Sequence, residues 1–298
     1  MRSTLHLMSA RDYVKLRGAI QPVLTHAMRS ILRARGESLD LDALVATARA
    51  HLAEEPRTFD ELRDHLSGLH PKGDVRAMAY AVRCQLPLIQ VPTDTAWGYP
   101  GAADFTVADA WLNAPLALGD DKPDALVLRY LAAFGPASAA DAQTWSGLPK
   151  VAPVLDSIRD QLRTFRDERG RELFDLPKSP RPPADTAAPA RFIPEYDNLV
   201  LSHADRTRIV ADEHRSKIVT ANLRVLPTFI VDGFVAGTWK IERTKRSAVL
   251  VVEPFGALTK KASNELAEEG DKLLRFVEEN AATFDVRFGG KPRARKKS

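Results

Sequence analysis

Cysteine is all but missing from this 298-residue chain, Cys84 standing alone. A lone thiol excludes disulfide stapling within the chain and leaves no cysteine-based zinc site, so a reducing compartment fits best. Long apolar runs are missing as well: none approaches the roughly 20 residues that a membrane-spanning helix requires. The opening Met1-Arg-Ser-Thr-Leu-His6 holds no apolar stretch of signal-peptide length. No glycine-rich phosphate loop is present, which removes the basis for nucleotide hydrolysis. These absences predict a soluble protein of the cytoplasm, associated with the nucleoid if its partner is DNA, with no membrane, metal, nucleotide or other cofactor in its chemistry.

Strong charge is lacking too, the net value being +4. Lys291, Arg293, Arg295, Lys296 and Lys297 outweigh that excess on their own. The body is therefore near neutral, and any contact with a polyanion must come from local patches. The basic tail, 289–298, reads either as a solvated end or as a phosphate-binding arm.

What is present is a repeated order of elements. Ser9 caps a helix with Tyr13, Leu16, Ile20, Leu24 and Met28 at helical spacing. With only a short strand before it, segment 1–38 reads as the remnant of an N-terminal module, as though the chain began inside a domain. Segment 39–119 then gives a helix carrying Leu41, Leu44, Val45, Ala48 and Leu52, a Pro56–Thr58 punctuation, a helix from Phe59, and a third helix opened by Asp74. A hairpin of Leu88–Val91 with Ala96–Tyr99 closes it. Segment 120–177 repeats the order: Asp124–Phe134, Pro136–Ser138 punctuation, a helix to Trp145, a third helix ending near Leu162, and a hairpin of Arg163–Arg166 with Glu172–Leu176. A proline-rich linker (178–194) leads to a mixed α/β domain (195–288), with strands at Leu199–Ser202, Thr228–Val231, Phe234–Ile241 and Ala248–Val252, an Asp232-Gly233 turn, and a closing helix over Lys261–Asn280.

Three helices followed by a hairpin describe a winged helix, so the fold class expected is α+β: tandem winged-helix modules with a C-terminal mixed α/β domain. The third helices offer Arg76 and Arg83 in the first copy and Lys150 and Arg159 in the second. The second hairpin adds Arg163, Arg166, Arg169 and Arg171. Arginine forks suit phosphate oxygens, and Arg166 with Arg169 at the turn is the favoured pair. Double-stranded DNA is the partner this pattern predicts. Winged helices also serve as protein-interaction modules, and that alternative stays open.

Four segments carry a wider resemblance: Met1–Leu7, Leu126–Ala137, Phe192–Arg206 with its Pro-Glu-Tyr-Asp-Asn run, and Val231–Lys240. In these the chain resembles the AlkZ-like DNA glycosylases, which unhook interstrand crosslinks and excise bulky alkylated bases. The resemblance implies a DNA-sized concavity flanked by His6 and by Glu195, Tyr196, Asp197, Asn198 and His203. His6 and Asp197 become the candidate catalytic residues, and Asn198 and His203 candidate DNA contacts. It also implies a Gln-x-Gln or Gln-x-Asp motif that positions the attacking water. Gln21, Gln85, Gln90, Gln143 and Gln161 all lack Gln or Asp two residues on. The expectation is therefore a double-stranded-DNA-binding protein related to DNA repair without that motif. The alternative is a glycosylase whose N-terminal part is missing through a shortened reading frame or a late start codon.

Other chemistry has less support. Ser202, His203 and Asp205 lie too close on one segment to form a relay, and His203, Asp205 and His214 lack recognised metal-ligand spacing. Trp97, Trp111, Trp145 and Trp239 read as core positions rather than base-stacking platforms.

Overall fold

Pro22 breaks the first helical stripe in two. The computed structural model describes residues 5–35, 39–94, 102–117 and 123–289. Within them Ser9 caps helix α1 (Ala10–Leu16), its Oγ accepting from Asp12 N at 3.1 Å. Proline lacks the N–H that a continuous helix would use, so a 3₁₀ turn at Gly18–Ile20 intervenes before α2 (Gln21–Ala34). Leu24, Met28 and Leu32 of α2, spaced four apart, are buried. The sequence left that face without a partner; here it packs within the same unit, against α5.

The chain divides into two units, Met1–Pro177 and Lys178–Ser298. In the first, Asp40 caps α3 (Leu41–Glu54), which buries Leu44, Ala48 and Leu52. Strand β1 (Arg57–Thr58) leads directly into α4 (Phe59–Leu69) through a capping box between Thr58 and Glu61. The Thr58 backbone N–H and hydroxyl hold the Glu61 carboxyl below its ordinary range. Asp74 accepts from Arg76 N and Ala77 N at 2.9 and 3.0 Å, opening α5 (Val75–Gln85). Strands β2 (Leu88–Gln90) and β3 (Asp104–Val107) follow, and β1 joins them to give the order β1-β3-β2, all antiparallel. The expected second hairpin strand, Ala96–Tyr99, lies outside the described residues; the strand that pairs with β2 is β3. Helix α6 (Ala108–Leu112) ends on Asn113 in the left-handed region.

The second half of this unit repeats that connectivity. Helix α7 (Asp124–Phe134) precedes α8 (Ala139–Ser146), which opens on a capping box between Ser138 and Asp141 and ends on Gly147 at φ 75°. Helix α9 (Val151–Ser157) and a 3₁₀ turn (Arg159–Gln161) lead to β4 (Arg163–Arg166) and β5 (Glu172–Asp175), paired antiparallel. Ala137 exchanges two backbone hydrogen bonds with Phe174, of 2.9 and 2.8 Å. It stands where β1 stands in the first copy. One continuous core joins helices α1 to α5 with α7 to α9, from Leu16 through Met78 and Tyr130 to Phe174.

In the second unit the proline-rich segment ends in a strand, β6 (Arg191–Ile193). The expected strand at Leu199–Ser202 is instead a 3₁₀ turn, Asn198–Val200, because Asp197 Oδ1 accepts from Leu199 N at 2.7 Å and turns the backbone. After a short helix, α10 (Arg215–Ile218), come β7 (Thr228–Val231), β8 (Phe234–Arg243), β9 (Ser247–Pro254), α11 (Lys260–Val277) and β10 (Thr283–Phe288). The sheet order is β10-β9-β8-β7-β6; β9 and β10 are parallel, linked through α11, and the rest antiparallel. Strand alternation sorts the two faces. Phe229, Leu250 and Val252 pack with Leu266 and Leu274 of α11, while Val235 and Ile230 pack with Val200, Val210, Ile218 and Val225. Among the described residues no helix is long and apolar enough to cross a membrane.

The tryptophans divide. Trp145 is buried and Trp239 half-buried, its Nε1 donating to Ile193 O at 3.0 Å, whereas Trp111 is 49% exposed and so is not the core position expected. Trp97 lies outside the described residues.

Candidate nucleic-acid interface

Helix α5 is buried along Ala77, Met78, Ala79, Ala81, Val82 and Cys84. Only a narrow strip faces solvent, and it carries Arg76 and Arg83 with the half-buried Tyr80 between them at i, i+4, i+7 spacing. The Arg83 guanidinium lies 5.0 Å from the Tyr80 ring centroid. That strip is too thin for α5 to insert deeply into a groove, but it is well shaped to lay two cations along a phosphate backbone. Tyr80 was not singled out in the sequence, although its spacing places it on that stripe.

Helix α9 differs. Val151 and Leu155 are buried, and Ala152, Pro153 and Asp156 face out. Its outward face therefore bears a carboxylate, and its cations sit at the two ends. Lys150 is exposed at the N-terminal cap in the left-handed region, φ 56°. Arg159 lies past the C-terminus and is already engaged, donating to both Glu172 oxygens at 2.9 and 3.0 Å and to Asp156 at 3.0 Å, with its guanidinium 5.2 Å from the Phe174 ring centroid. Arg159 holds the Glu172 carboxyl below the usual range, and Glu172 in turn raises the guanidinium's own pKa. This residue fastens the hairpin to α9.

The β4–β5 hairpin carries as many carboxylates as arginines, and the pairing decides which cations remain available. Asp167 organises the turn, accepting from Arg169 N at 2.9 Å, Arg171 N at 2.8 Å and Arg171 Nε at 2.6 Å. Desolvation works against its ionised form, but the Arg171 guanidinium and the two backbone donors outweigh it and keep the carboxyl low. Arg166 donates to Gly170 O at 2.9 Å, and Arg163 lies over the Phe165 ring at 5.1 Å. Among the described residues neither forms an ion pair with a carboxylate, although the Arg166 charge adds weakly to the Arg159 effect on Glu172, its register partner across the hairpin. Arg169 is exposed at the tip.

The Pro-Glu-Tyr-Asp-Asn run forms a separate cluster in the second unit. Glu195 is forked by Arg224, whose Nε reaches Oε2 at 3.1 Å and whose Nη2 meets Oε1. Tyr196 projects from a left-handed backbone, φ 58°, and is 55% exposed. Asp197 is committed to Leu199 N, Asn198 is half-buried, and the buried His203 ring sets Nδ1 2.9 Å from Ser202 Oγ. Glu195, Asp197 and His203 are thus engaged in shaping the loop. His6, exposed in an irregular stretch before α1, belongs to the first unit and Asp197 to the second. Among the described residues no group of histidine, cysteine and carboxylate ligands could hold a metal ion.

These features define a mixed α+β protein with a duplicated helical unit, a C-terminal mixed sheet, and arginines displayed on one helix strip and one hairpin. The family model described as DNA glycosylase AlkZ-like matches residues 1–276, and the chain belongs to that family. An interstrand DNA cross-link repair glycosylase of Streptomyces sahachiroi is 31% identical over 144 residues, a stretch covering 46% of this chain and 38% of that relative. The solved structure of the Streptomyces sahachiroi DNA glycosylase AlkZ matches with a TM-score of 0.75 at 23% identity, over 97% of this chain and 80% of that one, a likeness of fold.

Proposed function

We propose that this chain binds double-stranded DNA in the service of base repair, through two winged-helix modules (39–119 and 120–177) that grip the phosphate backbone rather than read base edges. The observation that carries this reading is a set of exposed cations that, among the described residues, form no ion pair with a carboxylate: Arg76 and Arg83 on the thin α5 strip, Lys150, and Arg163 and Arg166 on the β4–β5 hairpin, while the outward face of α9 presents Asp156. A face bearing a carboxylate is poorly suited to the guanine-directed contacts that specify sequence, whereas arginines at strip and hairpin positions suit phosphate oxygens. Family membership supports DNA as the partner, and indifference to sequence is what a protein that meets lesions at arbitrary positions requires.

Excision of the base is a further step. Cleaving an N-glycosidic bond passes through an oxocarbenium-like state that needs a placed water and nearby negative charge. The carboxylates of the Pro-Glu-Tyr-Asp-Asn run are occupied by Arg224 and by Leu199 N. No glutamine here has Gln or Asp two residues on. The residues of this chain accordingly hold the duplex without excising from it. The second reading, a glycosylase acting on crosslinked or bulky alkylated bases, draws on the family and on the cross-link repair glycosylase of Streptomyces sahachiroi. Both are tested on duplexes carrying a crosslink or a bulky alkylated base, with binding followed by anisotropy and base release followed on denaturing gels. Binding without release supports the first reading; release supports the second.

A further inference from the structure

The hairpin joining β8 to β9 breaks a local rule that the neighbouring hairpin of the same sheet obeys. Between β7 and β8 the two-residue turn is Asp232-Gly233, both in the left-handed region at φ 49° and 83°. That backbone matches the twist of paired strands and favours Asn-Gly or Asp-Gly. Between β8 and β9 the last paired residues are Arg243 and Ala248, Thr244 N donates to Ser247 O at 2.8 Å, and the two-residue loop is Lys245-Arg246, neither at positive φ. The turn is instead held by a hydroxyl: Thr244 Oγ1 accepts from Ser247 N at 3.0 Å and from Arg246 N at 3.3 Å, and lies 2.7 Å from Ser247 Oγ. Arg246 O accepts from Ala282 N at 2.8 Å and Thr283 N at 3.1 Å, anchoring the tip to the start of β10.

The cations nearby are all neutralised. Arg243 pairs with Glu278 at 2.6 Å, Lys240 with Glu242 at 3.1 Å, and Arg287 with Glu242 at 2.5 Å. Lys245 and Arg246 are exposed and, among the described residues, have no carboxylate partner. Two adjacent positive charges therefore sit on a fixed tip, in a two-residue loop whose backbone does not use the left-handed Asp-Gly geometry of the neighbouring hairpin. The backbone contacts that fix the tip leave both side chains unengaged among the described residues, and exposed cations held on a fixed tip suit phosphate oxygens.

We propose that the Lys245-Arg246 tip is a DNA phosphate contact contributed by the second unit, an inference that rests on the duplex-binding reading above. Lys245 and Arg246 are consecutive, their Cα atoms about 3.8 Å apart, so the pair serves two neighbouring phosphates on a single strand.

The test measures affinity of the full chain for a duplex at several salt concentrations, for wild type and three double variants. Lys245→Asn with Arg246→Gly installs the favoured turn and removes both charges. Lys245→Gln with Arg246→Gln removes the charges and leaves the backbone residue types ordinary. Lys260→Ala with Lys272→Ala removes equal charge from α11. Each phosphate contact contributes about 0.9 to the slope of log affinity against log salt. Both tip variants are expected to lower that slope by about 1.8, while the α11 control keeps the wild-type slope. A wild-type slope in both tip variants, with an Arg163→Ala and Arg166→Ala variant still lowering it, overturns the tip contact and spares the hairpin of the first unit. An equal fall in the α11 control shows bulk charge at work and overturns it too. A wild-type chain that ignores duplex DNA at low salt overturns both this inference and the reading beneath it.

Discussion

Replacing Arg163 and Arg166 together by alanine separates a phosphate-gripping hairpin from a merely solvated one. In the folded chain Arg163 lies over Phe165 and Arg166 caps the Gly170 carbonyl, and among the described residues neither forms an ion pair. An exposed cation–π contact and an exposed hydrogen bond together contribute about 1 kcal/mol, so the double variant stays folded and its Tm moves little. If each side chain engages one phosphate, the variant loses about 1.8 from the salt slope. Between 50 and 200 mM salt the fall in wild-type affinity should then be about tenfold steeper than the variant's. Fluorescence anisotropy on two duplexes of unrelated sequence, each at four or more salt concentrations, reads both quantities. The loss should be the same for both sequences, because backbone contacts carry no base information. Arg159→Ala is the internal contrast: its guanidinium is held by Glu172 and Asp156, so the slope should stay put while stability falls slightly. A double variant whose slope equals that of a DNA-binding wild type would refute the assignment of the hairpin.

Three further outcomes follow from other parts of the molecule. The purified chain should release no base from crosslinked or alkylated duplex, and measurable release on a denaturing gel would show that groups such as His6 or Asp197 suffice. Gly237→Ala should cost about 2 kcal/mol or more, read as a drop in Tm, because a Cβ there would stand 2.4 Å from Glu253 O and 2.4 Å from Phe229 Cε1; an unchanged Tm would contradict the β7–β8–β9 packing. His51 stacks on His65 with ring centroids 3.8 Å apart, and desolvation, His65 and Arg57 depress its pKa against the weaker pull of Glu54 and Glu61. A depressed histidine stabilises the fold while neutral, above the unfolded value of about 6.5, and that contribution is lost as pH falls through the lower folded value. Wild type should therefore lose more stability than His51→Gln between pH 7 and pH 5.5 in urea titrations; equal losses would remove His51 from the account.

The duplicated order of elements was legible because its signals are local. Thr58 and Ser138, each preceded by proline and followed three residues on by a carboxylate, announce the capping boxes that start α4 and α8. Asp232-Gly233 likewise announced its hairpin. Less legible were features set by distant partners. Strand β1 is two residues long and Ala137 a single bridge, so neither has a periodicity to detect; only the approach of β3 and β5 makes them strands. Leu199–Ser202 opens as a short apolar run that reads like a strand, yet the Asp197 side chain turns it. The face of α2 looked unpartnered because its cover, α5, lies some 50 residues on and reads as an ordinary amphipathic helix. At the candidate interface the sequence supplied arginines but not their pairing. That Arg159 is bound between two carboxylates while Arg163 and Arg166 are not depends on the hairpin register. The commitments of Glu195 and Asp197 were equally out of reach, since Arg224 meets Glu195 from across a loop.

The most direct test of the central claim is the salt dependence of duplex binding by the unmodified chain. The account predicts affinity that falls steadily as salt rises, with a log–log slope of several units set by the cations named above and the same slope on unrelated sequences. A chain that fails to bind duplex at low ionic strength, or that binds with an affinity indifferent to salt, would contradict it.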